Sequence, residues 1–142
     1  MKNLITACIV ALFATTASAD VTLEMLNKRD DGAKMVYSQD ITTIEVGEII
    51  TWVPTSKGHN VHFIAGPDGW DIPKKSKNNK EVSITFDVPG LYLYQCTPHA
   101  TMGMIGIVAV AEGGEVPLND ISKAKVRGKS KKKLKALLDE LS

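Results

Sequence analysis

Apolar and polar positions alternate in short runs over most of the chain. "VTLEMLN" places Val21, Leu23 and Met25 on one face, the two-residue period of a half-buried strand. "KMVYS" and "ITTIEV" follow, and "GEIITWVP" starts after Gly47 and stops at Pro54. "VHFIA" ends at the turn-rich "GPDGWDIP", and "KEVSITFDV" sets Val82, Ile84 and Phe86 against charged and hydroxyl residues. "GLYLYQC" begins after the Pro89-Gly90 turn, and "MIGIVAVA" closes the set before Gly113-Gly114. Many short strands separated by turn residues predict a mainly β domain, a sandwich or barrel.

After Pro117 the period changes, and two helices are predicted over 117–142. "NDISKAKVRG" offers Asn119 as N-cap and Gly128 as stop. "SKKKLKALLDELS" offers Ser130 as N-cap, with Leu134, Leu137, Leu138 and Leu141 at helical spacing. A short, one-sided leucine stripe with a lysine-rich opposite face favours packing on the sandwich over lying on a membrane.

The start of the chain fits neither pattern. Lys2, the apolar run Leu4–Ala14 and the small residues Ala17-Ser18-Ala19 have the layout of a secretory signal. Residues 1–19 are therefore expected to be a cleaved signal peptide, with 20–142 a single exported domain (20–112 the sandwich), periplasmic in location. The apolar run is shorter than the roughly 20 residues a membrane span needs, so no membrane association is expected. The formal net charge is +1 and includes Lys2; its loss leaves the remainder balanced, which gives no reason to expect a nucleic-acid partner. "KKSKNNK" and "KAKVRGKSKKKLK" are locally basic.

Export sharpens the cysteine count. Of two cysteines, Cys8 falls in the leader and Cys96 stands alone. In an oxidising compartment cysteines usually pair, so a lone one is a buried bystander or a functional thiol. Cys96 lies in "CTPHATMGM", with His99, Met102 and Met104, and "GHN" upstream adds His59. Any one of these alone would be a buried cysteine, a loop histidine or a core methionine. Together, a thiolate, two imidazoles and a thioether form the donor set that suits copper cycling between Cu(I) and Cu(II). Zinc prefers four strong ligands and rarely takes methionine. His62, three residues past His59 in a strand, is expected to point elsewhere. A nucleophilic enzyme using Cys96 with His99 as base would leave His59 and the methionines idle, and copper storage or delivery would call for more open ligation. Spacing within the loop leaves Met102 and Met104 both available.

"KGHNV" with "YQCTPHATMGMIGIVAV" resembles the cupredoxins, the type 1 blue copper proteins, in the pattern of an upstream His followed by Cys-x-x-His-x-x-x-x-Met. The early "LNK" and the predicted paired-helix tail match as well, so the resemblance covers essentially the whole expected mature chain. It implies a Greek-key β-sandwich with two C-terminal α-helices and one type 1 copper ion held by His59, Cys96, His99 and Met104. It implies that Asn60 ties the two ligand loops together and that Met35 lies near the exposed histidine ring. Where relatives often carry lysine before the ligand cysteine, this chain has Gln95. A shorter-loop branch, the amicyanins, would take Met102 instead; their lack of a helical tail and the continuation through Gly103-Met104 favour the longer loop. The function implied is a monomeric, non-enzymatic carrier of single electrons between redox proteins. Its partners would present acidic docking surfaces and be nitrite reductase-like or cytochrome c-like.

Overall fold

The computed structural model describes residues 19–142; the leader expected over 1–19 lies, apart from Ala19, outside them. Among the described residues eight strands form two four-stranded sheets. They are β1 (Val21–Lys28), β2 (Lys34–Tyr37), β3 (Ile41–Glu45), β4 (Ile49–Val53), β5 (His62–Ala65), β6 (Val82–Thr85), β7 (Gly90–Gln95) and β8 (Ile105–Ala111). One sheet runs β2-β1-β4-β6 and the other β3-β8-β7-β5. The pairs β1/β4 and β3/β8 are parallel and the rest antiparallel.

The sandwich core follows from the alternation. Leu23 and Met25 of β1, Trp52 of β4 and Phe86 meet Tyr92, Tyr94, Val108 and Val110 from the opposite sheet, all fully buried. Trp52 is the hub, with its ring edge-on to Phe63, Phe86 and Tyr94.

β7 and β8 do not alternate because both of their faces are covered. Tyr92, Tyr94, Val108 and Val110 point into the sandwich. Leu91, Leu93, Ile105, Ile107 and Ala109 point outward under Ile121, Val126, Leu134 and Leu137 of the C-terminal tail. A strand buried on both faces reads as a continuous apolar run.

The tail departs from expectation in its first half and at both expected caps. Only its second half is an α-helix, α1 (Lys129–Leu141); 119–128 is turns and irregular chain. Asn119 does not cap a helix. Its side chain accepts from the Leu91 N–H and donates to the Leu91 carbonyl, fastening the tail to β7. Asp120 closes a local turn on Ser122. With both polar side chains so engaged, the short "ISKAKV" stretch has no cap and too few residues to repay helix nucleation, and Ile121 and Val126 bury without it. Ser130 is likewise not the N-cap; Gly128 occupies that position. The leucine stripe packs as expected, with Leu134 and Leu137 buried and Leu138 and Leu141 partly so. Among the described residues no helix is long and apolar enough to cross a membrane.

An ionic clamp supports this packing. Asp40, just before β3, accepts from Arg29 at 3.2 Å and from Lys133 of α1 at 2.8 Å. Burial pushes the Asp40 carboxyl up, but hydrogen bonds and charge from Arg29 and Lys133 outweigh it, and the net shift is downward. A carboxyl depressed in the folded state stabilises above its ordinary titration range and loses that contribution as pH falls through its folded value. Asp40→Asn should therefore destabilise the fold by about 1–2 kcal/mol at neutral pH. In urea melts the gap from wild type should close progressively below about pH 4.

Candidate metal centre

Strand pairing brings the candidate ligands to one end of the sandwich. β5 and β7 are antiparallel, with His62 opposite Gln95, and Gln95 is also opposite Ile105 of β8. The residues just before β5, just after β7 and just before β8 therefore meet. They are His59 and Asn60, Cys96, and Met104.

The Cys96 Sγ lies 3.6 Å from His59 Nδ1 and 3.5 Å from His99 Nδ1. These three donor atoms all fall within 4.8 Å of one another, and the two imidazole rings are 4.8 Å apart at 52°. His59, Cys96 and Met104 are fully buried, and His99 alone is partly exposed.

The loop between Cys96 and Met104 folds on itself. Thr97–Met102 forms a 3₁₀ helix entered through Pro98, with a kink at His99. The His99 N–H donates to the Cys96 carbonyl, the Gly103 and Met104 N–H groups donate to the His99 carbonyl, and the Cys96 N–H donates to the Met104 carbonyl. Gly103, at φ 96°, takes the left-handed turn that ends the helix. That turn separates the two methionines. Met102 is on the helix and 49% exposed, whereas Met104 is at 0% and packs in the sandwich core with Cys96.

Asn60 joins the two loops. Its Oδ1 accepts from the Thr97 N–H at 2.8 Å, and its Nδ2 donates to Thr97 Oγ1 and to the Ser76 carbonyl. The Asn60 carbonyl in turn accepts from the buried Tyr37 hydroxyl at 2.8 Å. The basic loop supports the same place. Asn79 accepts from the Gly58 N–H and donates its own N–H to the His59 carbonyl.

Asn27 is a contributor the sequence reading did not single out. His59 Nε2 lies 2.7 Å from Asn27 Oδ1. An amide oxygen only accepts, so Nε2 carries the proton and Nδ1 presents its lone pair toward Cys96. One signal for this was present: Asn27 has the inward parity of Val21, Leu23 and Met25, as a polar residue at the end of an apolar series. Met35 is partly buried against the sandwich core at φ 51°, an uncommon conformation for methionine. His62 stands outside the cluster, paired in β5 and 3.4 Å from Gln95 Nε2.

The electrostatics suit a cation. Burial, and secondarily the neighbouring His99, lower the His59 pKa and keep it neutral. Burial pushes the Cys96 thiol up, opposed by the backbone N–H groups of Asn60 and His99 aimed at the sulfur. Those two donors favour the thiolate that metal binding requires, so metal uptake should release a proton. One sulfur and two imidazole nitrogens, with no carboxylate in the cluster, fit soft, redox-active copper.

The sequence pattern of the copper-binding proteins of the plastocyanin/azurin family matches residues 23–111, and the chain belongs to that family. Within it, the chain is 39% identical to a putative pseudoazurin of Rhizobium leguminosarum bv. viciae, over 96% of this chain and 90% of that one. A solved pseudoazurin structure from Sinorhizobium superposes with a TM-score of 0.77 at 35% identity, covering 87% of this chain and 96% of the other. Amicyanin of Paracoccus denitrificans is 35% identical but matches only 72% of this chain. The likeness to pseudoazurins thus extends through much more of the chain.

Asn27 should matter in solution. Asn27→Ala removes the acceptor that fixes the His59 ring, and copper affinity should fall about 10-fold, the lower end for lost partners of a ligand histidine. Competition with a chelator of known affinity measures this; an unchanged affinity would mean the ring needs no such partner.

Proposed function

We propose that this protein is a periplasmic one-electron carrier with copper held by His59, Cys96, His99 and Met104. The observation that carries the reading is the convergence of Cys96 Sγ with two histidine Nδ1 atoms, at 3.6 and 3.5 Å, in a buried frame. Met104 is favoured over Met102 because it is buried beside Cys96 while Met102 faces solvent. Copper bound there would supply one-electron chemistry by alternating between Cu(I) and Cu(II). The chain's contribution is rigidity. Asn27 orients one imidazole, Asn60 locks the two loops, and the core packs Cys96 and Met104. Ligands that do not move between oxidation states keep the reorganisation on electron transfer small.

The same packing argues against a nucleophilic enzyme. Cys96 is at 0% exposure with its thiol pushed up by burial, whereas reactive thiols are accessible and lowered in pKa. Copper delivery would need ligands that open readily, and three of these four are fully buried.

His99 is the ligand nearest solvent, so electrons are proposed to pass through its edge, between exposed Pro98 and Met102. Lysines surround that end. Lys75 and Lys77 line a surface hollow of about 480 Å³ together with Thr97 and Pro98. Lys57 is exposed beside the Gly58-His59 loop, and Lys28 follows Asn27. We infer a partner with an acidic docking surface, nitrite reductase-like or cytochrome c-like, met by the protein as a monomer. Opposite charges would speed the encounter at low salt.

Two experiments test this reading. Met104→Gln should shift the visible thiolate-to-copper band and lower the reduction potential, whereas Met102→Gln should change either far less; the reverse ranking would transfer the axial role to Met102. Electron exchange with an acidic redox protein should slow steeply with salt, since the Debye length at physiological ionic strength is only about 8 Å. Lys57→Glu should slow that exchange several-fold at low salt without altering the spectrum. A rate indifferent to both would overturn the acidic-partner docking model.

A further inference from the structure

The C-terminal tail meets the Cys96–Met104 loop directly. Ser130, on the first turn of α1, is fully buried, yet its hydroxyl satisfies nothing in its own helix. It donates to the Ala100 carbonyl at 2.5 Å, across 30 residues of chain. Gly128 sits against Thr101. A Cβ at Gly128 would come within 2.4 Å of the Thr101 carbonyl oxygen and 3.0 Å of its Cα. Gly128 also adopts φ 56°, ψ −132°, a conformation open essentially to glycine alone. Lys129, next in the chain, and Lys133, one turn on, lie beside Gly103.

These contacts complete a bracket. Asn60 anchors Thr97, two residues before His99, and Ser130 anchors Ala100, the residue after it. Within the loop, backbone hydrogen bonds link Cys96, His99, Gly103 and Met104; they fix its shape, and Asn60 and Ser130 tie that shape to the rest of the chain. The anchor at Ala100 is stiff because α1 cannot easily slide. Leu134 and Leu137 are buried against the outer faces of β7 and β8, and Lys133 is paired with Asp40. β7 and β8 are also the strands from which the loop springs.

We propose that the start of α1 is a positioning device for the metal-binding loop, with Ser130 as its positioning residue and Gly128 permitting the close approach. Ser130 touches no donor atom of the site. It sets where the Ala100 peptide lies, and so holds His99, the least buried of the donors, against the cluster. The tail's part is then to hold the site's most exposed donor in place, beyond covering an apolar sheet face. The proposal rests on the ligand assignment above only for its consequence for copper; the clamp itself is a property of the chain.

The test uses the full mature chain and its Ser130→Ala variant. Ser130→Ala keeps the helix and removes only the hydroxyl. In the metal-free protein, hydrogen exchange at the His99, Gly103 and Met104 amides should accelerate about fivefold, the factor expected for one net hydrogen bond. Amides of Val108 and Val110 in β8 should be unaffected. Ile84→Ala in β6, on the other sheet, provides a comparison for general destabilisation and should not single out the loop. Ser130→Thr, which retains the hydroxyl, should exchange more slowly at the loop than Ser130→Ala, and Gly128→Ala should loosen the loop more than Ser130→Ala. In the copper-loaded protein, Ser130→Ala should raise the rate of Cu(I) loss to a chelator by a similar factor. Loop exchange in Ser130→Ala no faster than in Ile84→Ala, or acceleration spread equally over β8, would overturn the proposal. Failure of the wild type to give a thiolate-to-copper band would instead overturn the ligand assignment, and the metal-free exchange would still decide the clamp.

Discussion

The hydrogen bond from the Thr97 N–H to Asn60 Oδ1 is the constraint on which the site depends. It joins two loops 37 residues apart at 2.8 Å. Each loop contributes donors that are useless alone: His59 from one, Cys96 and His99 from the other. Because Asn60 adjoins His59 and Thr97 adjoins Cys96, one side chain fixes the separation of sulfur and nitrogen. Burial makes the bond strict. Asn60 is 3% exposed, so an unpaired amide there would carry the full desolvation penalty of a buried polar group. Tyr37 and Ser76 hold Asn60 in turn, and the constraint extends into both sheets.

From that point the structure grades from rigid to accessible. Cys96 and Met104 pack in one core cluster with Trp52, Phe63 and Tyr94, and His59 is fully buried. His99 is the one member that reaches solvent. A site buried on three sides and open on one separates two demands that conflict in most proteins: stable geometry and contact with a partner. The fold meets both by drawing its donors from loops at one end of stiff strands and leaving a single ring at the surface. The 74–80 loop serves both ends of this gradient. Asn79 of that loop fastens the His59 backbone, while Lys75 and Lys77 face outward beside Pro98.

The tail shows how local signals yield to packing. Asn119 and Ser130 both look like helix caps, since each is a polar residue with a short side chain ahead of an apolar period. Both are instead spent on other segments, Asn119 on Leu91 and Ser130 on Ala100. A cap bond and a bond to a neighbouring segment satisfy the same atoms, and the sequence carries no mark of which is made. Where the leucine spacing is long enough, in α1, the helix forms regardless; where it is short, over 119–128, it does not.

The sequence by itself determined the strands, through a two-residue alternation that survives any arrangement of sheets, and the donor types, through a lone thiol with histidine and methionine at fixed spacing. The structure explains why β7 and β8 read as unbroken apolar runs, since the core covers one face and the tail the other. Only the tertiary structure decided which sheet each strand joined, because pairing between distant strands leaves no local trace. Only it gave Met102 and Met104 different surroundings, where the family resemblance had already favoured Met104: two residues apart, they would share a face in a strand, but Gly103 turns the chain and sends one to solvent and the other to the core. Asn27 became a partner of His59 for the same reason. Its parity was legible, but its neighbour came from a loop 32 residues away, and proximity of that kind exists only once the sheets have closed.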